Sequence, residues 1–87
     1  MELEQLRIFS AVARYGGFSA AARKLYISHS TTSRAVAALE AELGVRLFER
    51  SSHEVSLTAA GKVLLDEAGT LLRAAEDAAE RVRAAEK

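Results

Sequence analysis

Cysteine is absent from the 87-residue chain, so neither a disulfide framework nor a thiolate metal site can be built from it. The two histidines, His29 and His53, are too few and too far apart for a structural zinc, and no cofactor is implied. Proline and tryptophan are missing as well, so no helix is interrupted by a ring that lacks an N–H. No apolar run approaches the ~20 residues that would cross a bilayer. No cationic-then-apolar segment opens the chain. Together these absences describe a soluble chain that its own sequence does not export, and a reducing cytoplasm suits it.

A further absence is local. Between Gln5 and Leu39 there is no acid, while Arg7, Arg14, Arg23, Lys24 and Arg34 are all cationic. The total charge balances at 12 against 12, because the acids gather from Glu40 onward. A basic first half and an acidic second half are what a polyanion-facing surface with a separate second surface would have, although solvated helix faces can produce the same asymmetry. Eighty-seven residues make one small domain with a modest core. The hydrophobic share of 49% is rich in Ala and Leu, which suits helices meeting at close range.

Leu3, Leu6, Phe9, Val12 and Ala13 recur at three- and four-residue steps and predict an amphipathic first helix, stopped by Gly16-Gly17. Phe18 followed by Ser19 as N-cap predicts a short second helix through Ala20, Ala21, Ala22 and Leu25. Tyr26-Ile27-Ser28 is the next break, and Ser28 caps a third helix, residues 29–42, with Leu43-Gly44 as its stop. Two short helices across a tight turn form a helix-turn-helix. In the third helix Thr32, Val36, Leu39 and Leu43 share the core face. His29, Ser30, Ser33, Arg34 and Ala37 point elsewhere, and a small, polar, singly charged face suits a major groove, though an ordinary solvated surface also fits.

Residues 46–57 alternate apolar and polar positions around the polar tip Ser51-Ser52-His53-Glu54, which reads as a two-stranded wing. Thr58 then caps a helix that runs to the end of the chain. At ~1.5 Å per residue that helix is ~40 Å long, more than so small a core can cover. Leu64, Ala68, Leu71, Ala75, Ala78, Val82 and Ala85 alternate four- and three-residue steps, the repeat of a coiled-coil seam, which favours pairing with a second copy over a lone solvated helix. Leu65, Leu72 and Ala79 form a neighbouring stripe that packs on the domain at its N-terminal end.

The ordered set Gly16 to Ser19, Ala21-Ala22 to Leu25, Ser28 to Arg34, Leu39 to Gly44, Leu47 to Arg50 and Leu57 to Gly61 resembles the N-terminal domain of LysR-type transcriptional regulators over nearly the whole chain. The resemblance implies a mainly α fold: a winged helix-turn-helix, residues 1–57, followed by a linker and dimerisation helix, residues 58–87. It also implies binding to double-stranded promoter DNA as a homodimer, with tetramers left open for a full-length protein. A small-molecule effector would act through a domain outside these residues. Direct base reading falls to Arg34 with Ser33, His29 and Ser30 beside it; Ser19, Ser28 and Thr31 suit phosphates; Arg50 and His53 belong to the wing. Dimerisation falls to Leu64, Ala68, Leu71, Ala75, Ala78 and Val82.

The departures from the family pattern are informative. His29 and Ser30 stand where Gln, then Pro or Ser, are common, which changes the hydrogen bonds offered to a base. Thr32 stands at a usually aliphatic core position, where its hydroxyl can bond back to the Ser28 carbonyl. His53 replaces a common Arg.

Other classes fit less well. A protein-interaction module built on the long helix leaves the acid-free stretch unexplained, whereas a molybdate-responsive type of winged-helix regulator would look similar over these residues. An enzyme is disfavoured. Ser28-His29-Ser30 has no acid to orient the imidazole, and His53-Glu54 on a wing tip lacks a pocket.

An imidazole with the reference pKa of ~6.5 gains charge on mild acidification, so DNA affinity is expected to rise as pH falls from about 8 to about 6, and to rise less in His53→Ala. Identical pH dependence in the two proteins would remove His53 from the account.

Overall fold

The computed structural model describes the backbone of residues 1–50 and 55–86. Along it lie α1 (Leu3–Tyr15), α2 (Phe18–Leu25), α3 (His29–Leu43), β1 (Phe48–Arg50), β2 (Val55–Leu57) and α4 (Ala59–Ala85). This is the expected mainly α winged helix-turn-helix with a long C-terminal helix.

Each helix end has a local cause. The α1 helix stops where Gly16 turns left-handed at φ 80° and its N–H donates to the Val12 carbonyl at 3.0 Å. Glycine reaches that conformation without a Cβ clash. At α2 the expected boundary shifts: Gly17, not Ser19, is the N-cap, and it makes no side-chain cap bond. Ser19 lies one residue inside the helix and is exposed. The Phe18 ring sets this entry, lying 5.9 Å from Phe48 edge-on, so helical geometry begins at the residue that packs rather than at the hydroxyl.

Ser28 caps α3 as expected, its Oγ accepting from the Thr31 N–H at 3.0 Å. Thr32 is fully buried, and its Oγ1 donates to the Ser28 carbonyl at 3.0 Å, which satisfies the hydroxyl within its own helix. Val36 and Leu39 continue the buried face, but Leu43, at the last turn, is 41% exposed. Val45 is exposed too. Both lie outside the core.

The wing is an antiparallel pair with Phe48 opposite Leu57, Glu49 opposite Ser56 and Arg50 opposite Val55. Phe48 anchors it, its ring 5.2 Å from Phe9 and close to Phe18. Thr58 then caps α4: Oγ1 accepts from the Gly61 N–H at 3.0 Å and donates to the Arg46 carbonyl at 2.7 Å. One hydroxyl thus joins the helix start to the strand leading into the wing.

The core gathers Leu6, Phe9, Val12, Ala21, Val36, Leu39, Leu47 and Phe48 from the three preceding helices and the wing, together with Leu64 and Ala68 from α4. The first turns of α4 are therefore part of the folded domain. From Glu76 to Glu86 every residue is exposed. The long axis of the molecule measures 54 Å against 26 and 19 Å across, because that half projects from the core.

Gly61 marks the tightest contact. A β-carbon there would run into the Leu47 carbonyl oxygen and come within 2.9 Å of Leu57 Cδ2. At Gly69 a β-carbon would meet only the flexible guanidinium of Arg73. In thermal melts Gly61→Ala is expected to lower Tm by about 5 °C or more, from an overpacking cost of ~1–3 kcal/mol against backbone. Gly69→Ala is expected to raise it, by helix propensity of up to ~1 kcal/mol.

Candidate nucleic-acid interface

Thr32, Val36 and Leu39 bury one side of α3 in the core, and most residues on the opposite side are exposed. Along it His29, Ser30, Arg34, Ala37, Ala38 and Ala41 are exposed, and Ser33 is half-buried. Small side chains let a helix approach another surface closely, and Arg34 supplies the one long hydrogen-bonding group among them. Arg34 has no ion-pair partner among the described residues. Its guanidinium is not committed to a neighbouring acid. The His29 ring lies 6.2 Å from Phe18, which sets it against α2 on one side while leaving it exposed.

At the start of α3 the hydroxyls divide their work. Ser28 Oγ accepts from the Thr31 N–H and donates to Thr31 Oγ1 at 2.9 Å. Both roles of the Ser28 hydroxyl are therefore occupied within the cap, and the proton left to offer outward is the one on Thr31 Oγ1. The helical ladder begins with the Thr32 N–H bonding to the Ser28 carbonyl at 3.1 Å. The amides of His29 and Ser30 precede that bond and point along the helix dipole, an arrangement suited to anions.

The acid nearest this surface in sequence is turned to another task. Glu40 is mostly covered, and its Oε2 accepts from the Leu47 N–H at 2.8 Å and lies 3.8 Å from Arg46 Nε. The carboxylate thus holds the entry to the wing. Sequence reasoning counted Glu40 only as a charge, although its place in the Leu39 to Gly44 motif, seven residues before an unpaired strand-leading amide, was the available signal.

The wing candidates fare differently. Arg50 occupies the end of β1, opposite Val55. His53 lies outside the described residues. Ser19 sits exposed in the first turn of α2.

The seam expected on α4 divides in two. Leu64 and Ala68, expected to face a second copy, are 8% and 0% exposed within the chain's own core. The heptad stripe enters that core because α4 crosses α1 there. Leu71, Ala78 and Val82 are exposed and Ala75 is half-buried, so the free part of the stripe begins at Leu71. Leu65 and Leu72 pack partly against the core as expected, whereas Ala79 is exposed. Beside them Ser10, Arg14, Leu65, Gly69, Leu72 and Arg73 line a shallow cleft of about 400 Å³ between α1 and α4.

Among the described residues no three His, Cys, Asp or Glu side chains cluster as metal ligands, and no helix is long and apolar enough to cross a membrane.

Residues 3–62 match the model of the bacterial regulatory helix-turn-helix proteins of the lysR family. The chain belongs to the LysR family. It is 49% identical over 87 residues to the HTH-type transcriptional regulator ClcR of Pseudomonas putida, covering 100% of this chain and 30% of ClcR. It is 47% identical over 85 residues to the HTH-type transcriptional regulator TfdT of Cupriavidus pinatubonensis, covering 98% of this chain and 37% of TfdT. The chain thus spans about a third of the length of these LysR-type relatives. Among solved structures, the CbnR DNA-binding domain in a complex with DNA superposes with a TM-score of 0.95 at 45% identity, covering 100% of both chains. The LysR-type relatives are named as regulators, which agrees with a site built for binding rather than catalysis.

Proposed function

We propose that this chain is the DNA-reading module of a transcription regulator, binding double-stranded promoter DNA in a sequence-specific way. The N-terminal half of α3 enters the major groove, and the wing, residues 46–57, lies near the minor groove. The observation that carries this reading is the exposed face of α3. It combines small side chains, hydroxyls and an arginine without an ion-pair partner among the described residues, within a segment lacking any acid from Gln5 to Leu39. The likeness to the CbnR DNA-binding domain in a complex with DNA supports it.

Arg34, with Ser33, His29 and Ser30, reads base edges. A bidentate arginine contact discriminates by ~1–3 kcal/mol. Thr31, the leading amides of α3, Ser19 and Ser28 face phosphates, with Thr31 the stronger hydroxyl donor because Ser28 is engaged in the cap. Arg50 and His53 supply the wing's contacts.

Two copies pair through α4, residues 58–87, along the stripe Leu71, Ala75, Ala78 and Val82. Support comes from the length of α4 left without cover in a single chain. Two-fold pairing would set two reading helices on successive major-groove faces, so the target is an interrupted inverted repeat. Effector sensing belongs to segments outside these residues.

Arg34→Ala is expected to cost about 10-fold or more in affinity for a specific duplex and much less for a scrambled one, in titrations at fixed salt. Equal losses on both would make Arg34 a phosphate contact. Replacing both Leu71 and Val82 by Glu is expected to halve the sedimentation mass with helix content unchanged, since neither side chain belongs to the core. An unchanged mass would rule out pairing through this stripe.

A further inference from the structure

Three helices end in a left-handed residue, and two of them use glycine: Gly16 at φ 80° and Gly44 at φ 72°. The third, the C-cap of α2, is Tyr26 at φ 59°, ψ 42°, and among the described residues it alone has positive φ without being glycine. A bulky L-residue there costs free energy that glycine avoids. The cap recovers backbone bonds, Tyr26 N–H to the Arg23 carbonyl at 3.4 Å and Ile27 N–H to the Ala22 carbonyl at 3.1 Å, but glycine would make the same bonds and the tyrosine side chain adds none. The Tyr26 side chain is 95% exposed, and its hydroxyl has no hydrogen-bond partner among the described residues.

Its location is specific. Tyr26 stands in the turn between α2 and α3, two residues before the Ser28 cap and two residues after the exposed cation pair Arg23-Lys24. Lys24 is drawn back over the Tyr15 ring, 5.4 Å from its centre, while Tyr26 projects without any such contact. A left-handed, solvent-facing aromatic at this point is open to a partner.

We propose that Tyr26 is a further DNA-gripping residue: its phenolic O–H donates to a phosphate oxygen flanking the groove that α3 enters. The inference rests on the DNA-binding reading above. A neutral phenol fixes the register of the helix on the duplex without carrying base information or releasing counterions. It therefore strengthens specific and non-specific binding alike.

Two variants test it, with binding followed by anisotropy on labelled mixed-sequence double-stranded DNA across a salt series. Tyr26→Phe keeps the ring and is expected to weaken binding about 5-fold, the loss of one hydrogen bond per site, with an unchanged salt slope. Tyr26→Gly relieves the left-handed strain and is expected to raise Tm by a few degrees while weakening binding at least as much. Wild-type affinity in Tyr26→Phe would overturn the proposal, as would a reduced salt slope, which would mean displaced ionic contacts instead. Absence of salt-sensitive binding in the wild type would remove the DNA-binding reading itself and Tyr26's role with it. Weakened binding in the variants alone is the result that supports the proposal.

Discussion

Leu47 is held from both sides of its backbone. Its N–H donates to the Glu40 carboxylate at 2.8 Å and its carbonyl accepts from the Thr58 N–H at 3.0 Å, while Gly61 presses against that same carbonyl. Its side chain is 1% exposed. The end of α3, the entry to the wing and the start of α4 therefore meet at one residue. A hydrogen bond to a carboxylate contributes ~1.5–3 kcal/mol, and a chain this small has only ~5–15 kcal/mol in total. The arrangement is costly to disturb.

That joint explains how so small a core presents a functional surface. With Leu47 fixed, Phe48 reaches the rings of Phe9 and Phe18, and the wing is anchored on the same aromatic group that sets the entry to α2. The buried side of α3 is thereby supplied with partners from α1, α2 and the wing. Its other side needs none, and there the small residues and Arg34 stay exposed. Glu40 contributes twice, as a structural acceptor and as a carboxylate kept away from that face.

Much of this was legible in the sequence. Helical periodicity, the Gly16 and Gly44 stops, the Ser28 and Thr58 caps and the bond from Thr32 to the Ser28 carbonyl follow from local chemistry, and the structure contains each of them. What escaped depends on contacts distant in sequence. Ser19 looked like a cap because hydroxyls usually are, but packing of Phe18 moved the helix start earlier. Leu64 and Ala68 carry the heptad signature of a seam, yet periodicity reports only that a stripe is apolar. It does not tell whether the partner is another chain or the same one. Tyr26 escaped for a third reason: residue preferences argue against a left-handed tyrosine, so a functional placement is invisible to them.

We propose that the exposed face of α3 reads base sequence, in pairs set by α4. Selection of bound duplexes from a random pool by this chain tests it most directly. Enrichment of an interrupted inverted repeat with half-sites on one face of the duplex is expected. Recovery of sequences no different from the starting pool, or of a single unrepeated site, would contradict it.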